Sequence, residues 1–163
     1  VCSSDLTLPF FKKLSDMQKT KKLHRDVFKP VGPKNTTEWL NTFNINDVFA
    51  QYEKIYPEFK FMGAHPSDFD KLPSTGIPNL NFGKLMQSGI SKLGFIFNLD
   101  KHDEPGSHWV ALYANLKKGQ IYYIDSVGEP QVDEFKILVE LIKSYCLSLH
   151  IRNIDMRFNE NQH

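Results

Sequence analysis

Hydrophobic and polar positions alternate along this chain in two different periods. Residues 94–99 (GFIFNL) form a short continuous apolar run, which suits a central strand buried on both faces. Val110, Leu112, Ala114 and Leu116 then alternate with Trp109, Ala111 and Tyr113, and residues 120–125 (QIYYID) are rich in β-branched and aromatic side chains. Both read as strands, joined by a hairpin turn at Lys117–Gly119. Residues 58–63 (EFKFMG) alternate as a short strand, and 151–158 as a final one through Ile154, Met156 and Phe158. The helical period takes over in two places. After Asn44 or Asn46 as cap, Val48, Phe49, Tyr52, Ile55 and Tyr56 share one side of a helix that Pro57 ends. Over 131–149, Phe135, Leu138, Ile142, Tyr145 or Cys146, and Leu149 make an amphipathic helix. Residues 64–80 read as an ordered loop, and 82–88 as one helical turn or two. The fold class these elements predict is α+β, a central mixed β-sheet flanked by helices.

Composition narrows the picture without choosing a function. With 163 residues, 40% of them hydrophobic and 13 of them Phe, the chain is long enough for one domain with a sizeable core. A net charge of +1 selects neither nucleic acid nor membrane as partner. No apolar run approaches the roughly 20 residues of a membrane span. Cys2 and Cys146 make no disulfide framework, so a reducing, intracellular compartment is expected. Residues 1–6 (VCSSDL) match what one frame of a common sequencing-adapter end encodes, and no initiator Met precedes them. They are read as a non-native segment of a metagenomic assembly, and nothing is built on Cys2. Residues 7–33 are expected to form a basic helical extension and linker, with Lys12, Lys13, Lys19, Lys21, Lys22, Arg25 and Lys29 before Pro30-Val31-Gly32-Pro33. Asp16 and Asp26 dilute that charge, which favours a solvated helix face over a nucleic-acid patch. Residues 34–163 form the remaining domain.

Chemistry concentrates at one end of the hairpin. If 110–116 and 120–124 pair antiparallel across a loop with an even number of residues, His108 and Asp125 fall on the same face at the open end. As diagonal neighbours they lie roughly 7–8 Å apart along the backbone, a gap the two side chains can close. The carboxylate would then fix the imidazole tautomer and leave the other nitrogen as base. The same pattern also describes a strand-edge histidine beside a turn aspartate, or a pair serving a metal. His65 and Asp68–Asp70 invite a metal site too, but their spacing matches no ligand pattern, and no metal or cofactor is expected. Cys146 falls mid-helix on the apolar stripe, where a thiol behaves as a small hydrophobe. Ser107 and Ser126 adjoin the pair without a nucleophile-elbow signature. A base and its orienter are therefore legible, and a nucleophile is not.

Taken together, Trp39-Leu40 followed by Ile45, then Gly106-Ser107-His108-Trp109-Val110, then Tyr123-Ile124-Asp125-Ser126-Val127-Gly128 resemble the SUMO-protease-like (ubiquitin-like-protease) cysteine peptidases. Within that class the resemblance is to the maturation proteases of large DNA viruses. It runs from about Pro30 to the last residue, and the His-Trp and Asp-Ser pairs stand seventeen residues apart. It implies a papain-like cysteine-peptidase core, incomplete at the C-terminus, in which catalytic groups follow the order His, Asp or Asn, Gln, Cys. His108 then matches the general base and Asp125 the orienter. Gln162, or a residue soon after it, matches the oxyanion-hole glutamine. The nucleophilic cysteine, and the helix that carries it, would follow residue 163, so residues 1–163 alone are expected to be inactive. Trp39 and Trp109 match aromatic walls of a narrow substrate cleft. The resemblance further implies protein substrates: viral structural polyproteins cleaved at Gly-Gly-X sites, or else conjugates of a ubiquitin-like modifier. A catalytically inactive module that binds such modifiers is the remaining alternative. The implied location is the cytoplasm of an infected host cell, in a viral factory, or the virion.

Overall fold

The computed structural model describes residues 38–128, 131 and 133–159. The basic segment 7–29 and Gln162 lie outside them. The chain divides between Gln51 and Tyr52 into two compact units.

Helix α1 spans Thr42–Ile55. It starts earlier than the Asn44 or Asn46 cap expected from sequence, because Asn41 and Asn44 cap it reciprocally. The Asn41 Oδ1 accepts the Asn44 N–H at 3.0 Å, and the Asn44 Oδ1 accepts the Asn41 N–H at 3.1 Å. This is the logic of a capping box, with amide side chains in both roles. The apolar stripe is half-buried, and Ile45 is its one buried member.

The second unit is built on a five-stranded mixed sheet whose strands follow chain order: β1 (Phe59–His65), β2 (Lys92–Asn98), β3 (Trp109–Asn115), β4 (Gln120–Asp125) and β5 (Asp155–Phe158). The β2–β3 and β3–β4 pairs are antiparallel, while β1–β2 and β4–β5 are parallel. A parallel neighbour needs a long crossover. The first is made by residues 66–91, which hold three short 3-10 turns and helix α2 (Phe82–Gln87). The second is helix α3 (Asp133–Ser148). On one face of the sheet Leu93, Phe95, Phe97, Val110, Leu112, Ala114, Ile121 and Tyr123 are buried. They form a single core with Phe135, Leu138, Val139, Ile142 and Cys146 of α3. The rings of Phe97 and Phe135 meet at 4.5 Å, and Phe69 joins Phe97 at 4.8 Å.

Three expectations are adjusted. Strand β1 runs on to His65, because Met62 and Gly63 together oppose a single residue of β2. Gly63 takes φ 105° there, a value that suits glycine at a bulge. Strand β5 is half as long as the alternation of 151–158 suggests. Residues 151–154 close the end of α3 instead, with the Ile151 N–H bonded to the Cys146 carbonyl at 3.2 Å. Leu149, placed on the buried stripe from sequence, is exposed.

Candidate active site

The site begins with the hairpin register. Val110 pairs with Asp125 and Asn115 with Gln120, so four residues, 116–119, turn the chain. An even loop keeps directly opposed residues on one face, and His108, two residues before Val110, is the diagonal neighbour of Asp125. The side chains close the gap: His108 Nε2 lies 2.5 Å from Asp125 Oδ1. The Asp125 side chain is fully buried, and the His108 ring is 23% exposed.

Burial of the carboxylate would be costly without partners. The same Oδ1 also accepts the Val127 N–H at 2.8 Å, and the Asp125 carbonyl accepts the Gly128 N–H at 3.1 Å. Asp125 is therefore both a turn residue and the partner of His108, so the two readings of its sequence context coexist. An ionised carboxylate can only accept, so the proton shared with His108 sits on Nε2. In neutral imidazole the lone pair is then on Nδ1, the nitrogen left to act as base. Beside this pair the buried phenol of Tyr123 is pushed up to about 12, by burial first and by the Asp125 charge second.

The loop before His108 is wired through side chains. Asn98 Oδ1 accepts the N–H groups of Asp100 (2.9 Å) and Ser107 (3.2 Å). Asp100 in turn accepts the Gly106 N–H at 3.0 Å and the Ser107 hydroxyl at 2.5 Å. Gly106 has φ 89°, and a Cβ there would lie 2.8 Å from Asn98 Nδ2. The Leu99 N–H bonds to the His108 carbonyl at 2.9 Å, which sets His108 at the mouth of the β2–β3 ladder. Farther out, Asp68 accepts from the His102 N–H at 3.0 Å and meets its Nδ1 at 2.7 Å. The hydrogen bond to Asp68 raises the His102 pKa. This second His–Asp pair spans 34 residues of chain and has no signature in the sequence. The same is true of Asn159, whose amide reaches Asp125.

The remaining sequence candidates fall as follows. Trp109 opens β3 opposite Asn98 and is half-buried. Trp39 belongs to the first unit and is 66% exposed. Cys146 is fully buried in the core, its Sγ 3.7 Å from the Leu116 carbonyl, and burial raises its pKa. A thiol so placed is inert. Ser107 is engaged with Asp100, and Ser126 is exposed. His65 turns its Nε2 to the Met62 carbonyl at 2.7 Å. Among the described residues no cluster of three or more His, Cys, Asp or Glu could hold a metal ion, and no helix is long and apolar enough to cross a membrane.

The mixed sheet brings a histidine onto a buried aspartate at one end of the hairpin, an arrangement that can carry acid–base chemistry. Residues 19–162 match the model of the C-terminal catalytic domain of the Ulp1 protease family, and the chain belongs to that family. A protein of Acanthamoeba polyphaga mimivirus, assigned provisionally by its name to the thiol proteases, is 38% identical over 137 residues, covering 84% of this chain and 45% of that protein. A cysteine protease of African swine fever virus is 26% identical over 137 residues, covering 76% of this chain and 50% of that protein. The chain thus spans about half the length of the curated relatives it matches. The crystal structure of the African swine fever virus protease superposes with a TM-score of 0.65 at 19% identity, over 85% of this chain and 57% of that one. The central mixed sheet with helices expected from sequence is observed.

Proposed function

We propose that His108 and Asp125 are the general base and its orienter in a cysteine endopeptidase whose nucleophile lies in sequence following residue 163. The observation that carries this reading is the 2.5 Å contact between His108 Nε2 and the fully buried Asp125 carboxylate. It leaves Nδ1 as a base of fixed tautomer. In the reaction Nδ1 takes the thiol proton, and the thiolate adds to the peptide carbonyl. The C–N bond then breaks as the imidazolium returns its proton to the departing amine. Water, deprotonated by the same nitrogen, releases the acyl group from sulfur. Gln162, or a residue soon after it, donates to the oxyanion. Trp39 and Trp109 are each assigned to substrate binding by the resemblance. The domain includes 34–163, with 7–33 as its basic extension.

The substrate is a protein. The resemblance supports cleavage of structural polyproteins at Gly-Gly-X sites, and the viral origin of the relatives supports an infected cell or the virion as the setting. The resemblance also supports the second reading, removal of a ubiquitin-like modifier from its targets. Assay of the protein extended beyond residue 163 against Gly-Gly-X peptides and a SUMO conjugate separates the two. Peptide cleavage is the expected result, and cleavage of the conjugate alone excludes the polyprotein reading. Residues 1–163 by themselves are expected to give no turnover on either. Turnover there would show that the nucleophile has been misassigned.

A further inference from the structure

Paired residues of β4 and β5 end at Tyr123 and Phe158. Beyond that rung a side chain meets both peptide groups of Asp125, whose carbonyl also accepts the Gly128 N–H. Asn159 Oδ1 accepts the Asp125 N–H at 2.8 Å, and Asn159 Nδ2 donates to the Asp125 carbonyl. A primary amide offers the same donor and acceptor as a peptide unit. The side chain therefore extends the ladder by one rung and spares the main chain of residue 159 that task. On its other side Asp125 is held by its pairing with Val110 of β3.

We propose that Asn159 is a positioning residue for the reaction: it fixes the Asp125 peptide and so aims Oδ1 at His108. The inference rests on the reading of His108 and Asp125 as base and orienter. Its physical basis is the steep falloff of a hydrogen bond with distance and angle. A carboxylate on a peptide free to shift would hold the imidazole in several orientations and leave Nδ1 poorly aimed. The same residue anchors the main chain three positions before Gln162, so one amide couples the base–orienter pair to the strand that leads to the assigned oxyanion donor. Only asparagine meets both groups at this reach. Aspartate has no donor for the Asp125 carbonyl and sets a second negative charge beside the first, glutamine is a methylene longer, and alanine supplies neither bond.

The test uses residues 1–163, uniformly 15N-labelled, with the Asn159→Ala and Asn159→Asp variants. In the parent chain the His108 ring is expected as a single tautomer, Nε2 protonated and Nδ1 bare. Both variants are expected to bring the two ring nitrogens toward averaged shifts. In Asn159→Ala, which loses the acceptor for it, hydrogen exchange at the Asp125 amide should quicken by roughly tenfold, while Leu112 in the hairpin core keeps its protection. Parent ring shifts in either variant overturn the proposal, as does exchange that quickens at Leu112 as much as at Asp125. Because turnover is not measured, a lack of peptidase activity in the extended protein would overturn the proposed function and leave this result standing.

Discussion

At the scale of single residues, the site turns on a buried charge and what satisfies it. Asp125 is fully buried and depends on His108, the Val127 N–H and the Asn159 amide around it. Removing one partner of such a pair costs more than the pair contributes, because the other charge stays buried. His108→Ala is therefore expected to lower stability by roughly 3–5 kcal/mol. His108→Gln retains an N–H donor and should lose clearly less. Urea unfolding of the two variants measures the difference, and equal losses would mean that Asp125 does not lean on the imidazole. Tyr123 gives a second expectation, in pH. Its folded pKa, pushed up to about 12 by burial and by Asp125, lies above the roughly 10 of an unfolded tyrosine. As pH rises the unfolded chain loses this proton first, so the contribution is full below about pH 10 and lost toward pH 12. Tyr123→Phe should make the alkaline loss of stability shallower. Its hydroxyl has no hydrogen-bond partner among the described residues, so the same change should cost little at neutral pH. A marked loss at neutral pH would contradict that account.

At the scale of elements, the hairpin brings His108 onto Asp125, and β2 and β5 flank it. On the face opposite the core, Phe59 of β1 lies over Gly94 of β2, where a Cβ would meet the Phe59 ring at 2.8 Å. Gly94→Ala is expected to cost roughly 1–3 kcal/mol through overpacking, read as a lowered thermal midpoint. An unchanged midpoint would show that the ring moves aside freely. Much of this layer was legible beforehand, because a period-2 run bounded by turn residues specifies a strand, and an even loop specifies which side chains share a face. His108 and Asp125 were found that way. Contacts set by tertiary closure leave no such trace. Asn159 reaches Asp125 across 34 residues, as His102 reaches Asp68, and no local spacing encodes either. The reciprocal Asn41–Asn44 cap escapes sequence reading for a different reason: asparagine as the third residue of a helix is a weaker signal than the glutamate of an ordinary capping box.

At the scale of the whole molecule, the family match and the viral relatives agree on a cysteine-protease family, and the sheet agrees with its fold. The place of the nucleophile beyond residue 163 is part of the proposal. The alternating runs sufficed for the α+β sheet, while the roles of Trp39 and Gln162 rest on resemblance. One is an exposed residue of the other unit, and the other lies outside the described residues. The most direct measurement is the rate of peptide hydrolysis by the protein extended past residue 163, compared with its His108→Gln variant. The glutamine keeps a donor for Asp125 and removes the base. The account predicts hydrolysis by the parent and a loss of at least about a hundredfold in kcat/KM in the variant, the lower end of what general acid–base catalysis supplies. A folded variant that hydrolyses the peptide as fast as its parent would contradict it.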